Sequence, residues 1–211
     1  MAGTLAKVAT LAAGFGLSGS LATAEGRYHG YEAPTYTVEA RVEGAEVRRY
    51  APHILAEVTV RGDADSARSR GFSVLAGYIF GGNRSKAKVD MTAPVTQTPK
   101  EKIAMTVPVT QTGDGSLWTV TFMMPADYTL ATLPDPDSDA IRFRETRPER
   151  RIALAFSGRP TQSRLTEKVT ELEEIARRNG VAVDPTPSYA FYDDPFTLPM
   201  NRRNEVSFPL R

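Results

Sequence analysis

One phrase of eight residues occurs twice in this chain and restricts how its middle can fold. Residues 91–98 read MTAPVTQT and residues 105–112 read MTVPVTQT, so the two copies match at seven of eight positions. Val and Thr favour strands, whereas each proline fixes φ and cannot donate a hydrogen bond to a sheet. The phrase therefore predicts two short extended segments that are edge strands or strand ends. Because the link at 99–102 is short and polar, a loose antiparallel hairpin with the copies side by side is favoured.

Hydrophobic periodicity divides most of the remaining chain into two similar halves. A helix is predicted from Ala64 to Phe80, with Asp63 or Asp65 as its N-cap. A second helix is predicted from the apolar spacing of Leu165 and Leu172. Strand patterns cover residues 36–43, 46–50, 54–60, 117–124, 141–145, 151–156, 188–192 and 205–210. Both halves have the order strand, strand, helix, strand, strand, which predicts an α+β fold of pseudo-twofold duplicated β-β-α-β-β units.

The first 24 residues have the composition of an export signal. Lys7 precedes an uncharged stretch at 8–21, and Ala22-Thr23-Ala24 places small residues at the spacing of a signal-peptidase site. We predict cleavage after Ala24 and an exported protein, periplasmic or secreted, with an uncleaved membrane anchor or a disordered tail as alternatives. The apolar stretch is shorter than the roughly 20 residues of a transmembrane helix, so no stable membrane insertion of the mature chain is expected. Residues 25–35 are predicted to be a linker and residues 36–211 a single domain.

Composition and motifs argue against several classes of function. Lys plus Arg number 26 and Asp plus Glu number 25, and this net charge of +1 argues against a protein that binds nucleic acid by neutralising phosphates. The chain has no cysteine, which excludes disulfides, thiol catalysis and thiolate metal sites. It also has no Gly-rich phosphate loop, no His-Glu-x-x-His zinc motif and no serine nucleophile elbow. Conventional hydrolase, kinase and metalloprotease functions are therefore not favoured.

Several ordered segments resemble the SOUL haem-binding protein family. They are 46–50 (EVRRY), 71–83 (GFxxLxxYIxGxN), 88–95 (KVDMTAPV), 103–109 (IAMTVPV), 192–199 (YDxPFTLP) and 202–206 (RRNEV). The resemblance covers about residues 36–211 and implies a distorted antiparallel barrel of about eight strands flanked by two helices. This plan is similar to that of the GyrI-like small-molecule-binding domains. The resemblance also implies that the ligand is haem or another tetrapyrrole, bound non-covalently.

A tetrapyrrole needs an apolar slot for its macrocycle, cations for its propionates and, when it holds iron, an axial ligand. His53 is the candidate axial and metal ligand, because a neutral imidazole suits haem iron and this histidine lies in a turn between two predicted strands. The alternative is a surface histidine without a ligand role. Met91 and Met105 can supply thioether ligands or simply fill the core. His29, in the predicted linker, is assigned no role.

The first predicted helix and the residues after it supply the other candidates. Phe72, Leu75, Tyr78 and Ile79 form an apolar stripe that can be the wall of a tetrapyrrole slot, although packing against the sheet explains the same stripe without a ligand. The candidate cations for the propionates are Arg84, Lys86 and Lys88. These three can equally be solvated charges that protect an edge strand.

Together these features favour an exported monomer that binds haem or a related tetrapyrrole reversibly, as a carrier, buffer or scavenger, and they favour no enzymatic activity. Two other functions remain open. An enzyme acting on a small electrophilic molecule would use Glu57, Glu145 or Tyr192, and a carboxylate with a strongly raised pKa in an apolar cleft would favour it. A protein-interaction module would use the proline-rich loop at 125–137 or the hairpin, and a large exposed apolar patch away from any cleft would favour that.

Overall fold

The fold is seen in a computed structural model that describes residues 26–86, 100–113 and 115–211. Its helices are α1 (Ala64–Ile79) and α2 (Gln162–Arg178), and a short 3-10 helix spans Pro199–Asn201. The strands are β1 (Arg27–Tyr28), β2 (Tyr31–Glu32), β3 (Tyr36–Val42), β4 (Ala45–Tyr50), β5 (Ile54–Arg61), β6 (Asn83–Arg84), β7 (Val109–Gly113), β8 (Leu117–Met123), β9 (Asp135–Pro136), β10 (Arg142–Glu145), β11 (Glu149–Phe156), β12 (Ser188–Phe191) and β13 (Asn204–Pro209).

Nine of these strands form one large sheet. Their order is β10-β5-β8-β7-β12-β13-β11-β4-β3, and neighbouring strands are antiparallel. The sheet curls into a half-barrel, with β10 and β3 at its two edges. The predicted α+β fold is confirmed, with one strand more than the family resemblance implied.

The two halves of the chain build equivalent units. In the first half β4, a loop at 51–53, β5 and α1 follow one another, and β10, a loop at 146–148, β11 and α2 do so in the second. The two loops are bonded to each other: the His53 N–H donates to Thr146 Oγ1 at 2.9 Å, and the Thr146 N–H donates to the His53 carbonyl oxygen at 2.8 Å. These bonds join the two units at one rim of the half-barrel.

Each helix is preceded by a residue whose side chain caps its first turn. Asp63 accepts a hydrogen bond from the Ser66 N–H at 2.9 Å, which satisfies one of the free donors in the first turn of α1. Thr161 does the same for α2 through its bond from the Arg164 N–H. The predicted start of the first helix is therefore confirmed.

Strand alternation places one set of side chains beneath the helices and the other set on the opposite face of the sheet. Val58 and Val120 lie in one core cluster with Leu75 of α1, and Phe208 lies in a second cluster with Leu172 of α2. Because both clusters lie on the helix side, neither of them covers the inner face of the curled sheet.

Two glycines of α1 allow a direct test of how closely this helix approaches the sheet. A Cβ atom added at Gly71 would lie 2.5 Å from Val120 Cγ2 and 2.6 Å from its Cβ, whereas one added at Gly77 would meet nothing within 4 Å. Gly71→Ala is therefore expected to lower the free energy of unfolding by about 1–3 kcal/mol through overpacking. Gly77→Ala is expected to raise it by about 0.4–1 kcal/mol, because alanine reduces the entropy of the unfolded chain. Urea unfolding of the two variants checks this, and effects of the same sign would contradict it.

The segment predicted as a linker contains a short hairpin of β1 and β2 that is bonded to the domain. Tyr28 donates to Asp193 Oδ2 at 3.0 Å, and the Val107 N–H donates to the Glu32 carbonyl oxygen at 2.8 Å. Residues 1–24, the predicted export signal, lie outside the described residues. Within the described ranges, neither helix has the length and apolar character needed to cross a bilayer.

The repeated phrase is described only in its second copy. Its strand, β7, begins at Val109 directly after Pro108, as expected for a residue that cannot donate to the sheet. β7 lies between β8 and β12, so it is a central strand rather than an edge strand. The first copy lies outside the described residues, and the side-by-side arrangement of the copies stays a prediction.

Candidate functional site

The inner face of the sheet carries a cavity of about 480 Å³, which we call the hydroxyl cleft. In β8 the side chains of Trp118, Val120 and Phe122 lie in the core, so Thr119 and Thr121 face the other way and line the cleft. Neighbouring strands contribute in the same manner. The hydroxyl groups that the strands β7, β8, β12 and β13 place along the cleft include those of Thr110, Thr112, Thr119, Thr121, Ser188 and Ser207.

A second cavity, of about 690 Å³, lies between the hairpin at 26–35, the loop at 51–53 and the segment 123–131. We call it the apolar cavity after the hydrophobic part of its lining, Ala33, Pro52, Ile54, Met124, Pro125 and Leu130; its lining also includes the charged residues Arg27, Glu32 and Glu145. The two cavities share His53 and Met123 as lining residues. These two side chains therefore mark the place where the two cavities meet.

His53 is held so that one ring nitrogen stays available. Its Nδ1 lies 2.9 Å from the Ala51 carbonyl oxygen and 3.3 Å from Thr146 Oγ1. The carbonyl favours the tautomer with the proton on Nδ1, which leaves the lone pair on Nε2. Nε2 has no hydrogen-bond partner within the described chain, and it is the atom with which an imidazole binds haem iron.

Burial lowers the pKa of His53 below its usual value of 6.5, and the nearby Arg144 contributes in the same direction. In the window just below pH 6.5 the unfolded chain therefore binds this proton more readily than the folded chain does. His53 stabilises the fold fully above this window, and its contribution is lost as the pH falls through it.

This linkage predicts that replacing His53 with Gln makes the stability of the protein less dependent on pH. Between about pH 7.5 and pH 5.5 the wild type is expected to lose more unfolding free energy than His53→Gln, measured by urea unfolding at both values. His29→Gln is the matched control, because His29 is largely exposed on the hairpin. An identical loss in wild type and His53→Gln would contradict the prediction.

A buried ionic network underlies one wall of the hydroxyl cleft. Glu205 accepts from Arg48 at 2.9 and 3.2 Å, from Arg203 at 2.6 and 3.1 Å, and from the Tyr192 hydroxyl at 3.1 Å. Burial alone would raise the pKa of Glu205, but the charges and hydrogen bonds of the two arginines outweigh it and hold the pKa below its usual value. Glu205 is therefore an ionised structural anchor and not a general acid.

Three residues were named for an enzymatic alternative, and the structure brings two of them together. Glu57 and Tyr192 line the hydroxyl cleft, whereas Glu145 lines the apolar cavity. Glu57 is paired with Arg144 at 3.2 Å, and burial raises the pKa of Tyr192 well above its usual value. Tyr192 therefore stays protonated at neutral pH and serves as a hydrogen-bond donor to Glu205.

The arginines that line the cleft differ in whether they have hydrogen-bond and ion-pair partners. Arg151 donates to Glu149 at 2.8 Å and to the hydroxyls of Ser188 and Ser207 at 2.8 and 3.1 Å. Arg147 lines the cleft beside Thr146 and is exposed, and it has no ion-pair partner in the described part of the chain. Together with Arg144, which is paired with Glu57, the cleft is therefore lined by two paired guanidinium groups and, on the loop at 146–148, one guanidinium without an ion-pair partner among the described residues.

The apolar stripe proposed for the ligand lies on the side of the sheet opposite the hydroxyl cleft. Leu75, Tyr78 and Ile79 are fully buried in the core beneath α1, and Tyr78 donates to the Pro134 carbonyl oxygen at 2.9 Å. Phe72 is 38% exposed, and its ring packs edge-on against that of Phe122, with the two ring centroids 5.5 Å apart. Packing against the sheet accounts for these side chains, and their assignment to a ligand stays a prediction.

The remaining candidates that the structure describes, Arg84, Lys86 and Met105, line neither of the two cavities. Arg84 Nε lies 3.8 Å from Asp137 Oδ1, and Lys86 Nζ lies 3.1 Å from Asp135 Oδ1, so both cations have carboxylate partners. Met105 is partly buried and packs against the core beneath α1. Lys88 and Met91 lie outside the described residues. Within the described ranges, no group of three or more His, Asp and Glu side chains is arranged to hold a metal ion.

Sequence reasoning missed Met123 and the arginines at 144, 147 and 151. For Met123 a signal was present, because it follows Thr119 and Thr121 on the face of β8 that alternates with the core residues. For the arginines no such signal exists, since exposed arginines occur throughout the sequence.

Comparison with known proteins identifies relatives over most of the chain. The sequence profile of the family described as "SOUL heme-binding protein" matches residues 31–209. Heme-binding protein 2 of Mus musculus is 31% identical over 166 residues, which cover 76% of this chain and 75% of that protein. Heme-binding protein 2 of Homo sapiens is 31% identical over 164 residues, with the same coverage of each chain.

Solved structures with the same fold are much more distant in sequence. The C-terminal domain of EcmrR has a TM-score of 0.58 at 13% identity, covering 79% of this chain and 96% of that domain. A hydrolase from Listeria innocua has a TM-score of 0.53 at 14% identity, covering 82% of this chain and 94% of that one. At this level of identity the likeness shows a shared fold only.

Proposed function

Because this chain belongs to the SOUL heme-binding protein family, we propose that it binds haem or a related tetrapyrrole reversibly, as a carrier, buffer or scavenger. The observation that carries the proposal is the family match across residues 31–209. The ligand is non-covalent, since the chain has no cysteine to form thioether links with vinyl groups. The proposal takes the protein to be a monomer.

The apolar cavity suits the macrocycle of such a ligand. Its volume of about 690 Å³ lies within the range of small-molecule sites, and Ile54, Met124 and Leu130 give part of its wall an apolar surface. His53 lines this cavity, and its Nε2 has no hydrogen-bond partner among the described residues, so it would hold the iron of haem. The macrocycle of haem supplies the Soret absorbance that reports binding. With a single histidine near the cavity, most of the affinity comes from burial of the macrocycle, and we expect reversible binding.

The test is an absorbance titration of the purified protein with haemin and, separately, with iron-free protoporphyrin. Wild type, His53→Ala and His29→Ala are compared, and His29→Ala is the matched control because the chain has only these two histidines. We expect saturable one-to-one binding of both compounds with similar affinity. The Soret band of bound haemin should move in His53→Ala and stay in place in His29→Ala.

Each alternative result has a separate meaning. A large preference for haemin over protoporphyrin would overturn burial as the main source of affinity. An unchanged Soret band in His53→Ala would remove this residue as the axial ligand but leave tetrapyrrole binding intact. No saturable binding of either compound would refute the proposed function.

We also propose that the protein is exported, on the basis of Lys7, the uncharged stretch at 8–21 and the small residues Ala22-Thr23-Ala24. Intact-mass analysis of protein recovered from the periplasmic or culture fraction tests this. A mature chain beginning at Glu25 is expected. A full-length chain that stays with the cells would contradict cleavage, and a full-length chain in the membrane fraction would support an uncleaved anchor.

A further inference from the structure

The loop between β12 and β13 carries three exposed apolar side chains in alternate positions. Phe196 is 95% exposed, Leu198 61% and Met200 69%, while the intervening Thr197 and Pro199 are partly buried. Single exposed apolar residues are common on proteins, but several together form a patch that indicates a binding surface. We call this segment the 195–200 loop, and none of its residues lines either cavity.

The backbone of the 195–200 loop is largely hydrogen-bonded within the protein. Asp194 Oδ1 accepts from the N–H groups of Phe196 and Thr197 at 2.7 and 2.9 Å, and Arg202 Nε donates to the Thr197 carbonyl oxygen at 2.8 Å. The prolines at 195 and 199 have no N–H to satisfy. Because a backbone group without a partner is costly to remove from water, these bonds reduce the cost of moving the loop into an apolar phase.

Two exposed arginines lie beside the loop. The Gly158 N–H donates to the Pro199 carbonyl oxygen at 2.8 Å, which places the segment before α2 next to the loop. Arg159 follows Gly158, and a Cβ atom added at Gly158 would lie 3.1 Å from Nη1 of Arg164. Neither arginine has a carboxylate within ion-pair distance in the described ranges. The exposed carboxylate at this place is that of Asp194, so the two arginines leave a net positive charge beside the patch.

The patch and its arginines together match the way in which peripheral proteins bind anionic membranes. Apolar side chains enter the boundary of the acyl chains, and cations meet the lipid phosphates. We propose that the 195–200 loop binds the surface of a bilayer containing anionic phospholipid, with Phe196, Leu198 and Met200 inserted and Arg159 and Arg164 at the level of the headgroups. The contact is peripheral and reversible, because three side chains bury far less apolar surface than a membrane-spanning helix. It is independent of the proposed function, which concerns the cavities.

A bilayer fits this surface better than a protein partner does. A stable protein interface buries about 800 Å² on each partner, more than three side chains supply, and it needs a complementary shape. A bilayer adapts its shape to the side chains that enter it. The paired backbone of the loop also matters most in an apolar phase that has no hydrogen-bonding groups, since a protein partner could supply such groups itself.

The experiment measures binding of the full chain to unilamellar vesicles by co-sedimentation. The vesicles are an equimolar mixture of phosphatidylcholine and phosphatidylglycerol, or phosphatidylcholine alone. The proteins are wild type, Phe196→Ala, Leu198→Ala, Arg159→Gln and, as matched control, Leu117→Ala. Leu117 is 44% exposed at the start of β8, whereas strand pairing places the far end of β8 on the side of the 195–200 loop.

We expect wild type to bind the anionic vesicles, and to bind more weakly to phosphatidylcholine alone or at high salt, since salt screens the arginines. Phe196→Ala should weaken binding by about tenfold through the loss of buried aromatic surface, and Leu198→Ala should weaken it as well. Arg159→Gln should weaken it by about fivefold through the loss of one cation near the headgroups. Leu117→Ala should leave binding unchanged. All variants should stay folded, because the altered side chains are exposed.

A fluorophore on a single introduced cysteine identifies the part of the chain that enters the bilayer. The protein has no cysteine of its own, so Leu198→Cys and Leu117→Cys can each be labelled at one position. With an environment-sensitive label, the emission of Leu198→Cys should shift to the blue when anionic vesicles are added, and that of Leu117→Cys should stay in place.

Equal vesicle binding by wild type and Phe196→Ala would overturn the inference, because the contact would then come from another part of the chain. A label in Leu117→Cys that shifts as much as the label in Leu198→Cys would overturn it too. A wild type that binds no vesicles would do the same, and dimers that Phe196→Ala abolishes in sedimentation equilibrium would then assign the patch to a second copy of this chain. None of these results bears on tetrapyrrole binding.

Discussion

Glu205→Gln is expected to lower the free energy of unfolding by about 3–5 kcal/mol, the usual effect of removing one partner from a buried ion pair. Glu205 is 3% exposed and neutralises Arg48, which is itself 2% exposed, as well as Arg203. A neutral amide leaves the buried Arg48 with only the partly exposed Glu46 as a counter-charge, in a place where water cannot replace the lost carboxylate. Urea unfolding of the purified variant measures the loss.

The control for this prediction is Glu174→Gln, which removes an exposed carboxylate paired with Arg178 at 3.5 Å on the surface of α2. A pair of this kind contributes about 0–1 kcal/mol, so the variant should unfold nearly as the wild type does. Similar losses in the two variants would contradict the view that burial makes the Glu205 network costly to break.

The same network predicts a pH dependence. The pKa of Glu205 is held below its usual value of 4.5 in the folded protein, so the unfolded chain takes up this proton first as the pH falls. The stability that Glu205 contributes is complete above about pH 4.5 and is lost at lower pH. A wild type that loses no more stability than Glu205→Gln between pH 6 and pH 4, values chosen to bracket roughly that window, would contradict this.

The second large effect is expected from Phe208→Ala, which should lower the free energy of unfolding by about 3–5 kcal/mol. Phe208 is fully buried on β13, in the core cluster that contains Leu172 of α2. The loss combines the transfer free energy of the ring with the cavity that it leaves behind. Urea unfolding gives the value.

Phe196→Ala is the matched control, because this phenylalanine is 95% exposed in the loop between β12 and β13. Its truncation removes almost no buried surface, and a change within about 0.5 kcal/mol is expected. A cost at Phe196 comparable with that at Phe208 would mean that the loop is packed against something in solution.

Much of the fold could be predicted because its signals are local. The first helix was expected from Ala64 to Phe80 and is observed from Ala64 to Ile79, since Asp63 caps its start and the apolar residues repeat at helical spacing. Strand alternation in β8 separated Trp118 and Val120 from Thr119 in the sequence, as it does in the structure. These patterns depend on neighbours along the chain and need no knowledge of distant contacts.

The candidate site was predicted less completely because it depends on contacts between distant segments. The turn containing His53 was recognised, but its bond to Thr146 joins residues 93 positions apart. Leu75, Tyr78 and Ile79 were correctly placed on an apolar face of α1, yet periodicity cannot tell a face that meets the sheet from a face that meets a ligand. Packing in the core accounts for these side chains without a ligand, and their assignment to a ligand stays a prediction.

The sequence by itself determined the family, the α+β class, the duplicated order of elements and the start of the first helix, because each of these follows from motifs or from short-range periodicity. Only the tertiary structure decided which side of the sheet carries the hydroxyl cleft and which charges are paired there. Arg144 and Arg151 each have a glutamate within ion-pair distance, whereas Arg147 has none among the described residues, and that difference arises from strand pairing and loop contacts. Such long-range pairing leaves no periodic trace in the chain, so sequence patterns could not reveal it.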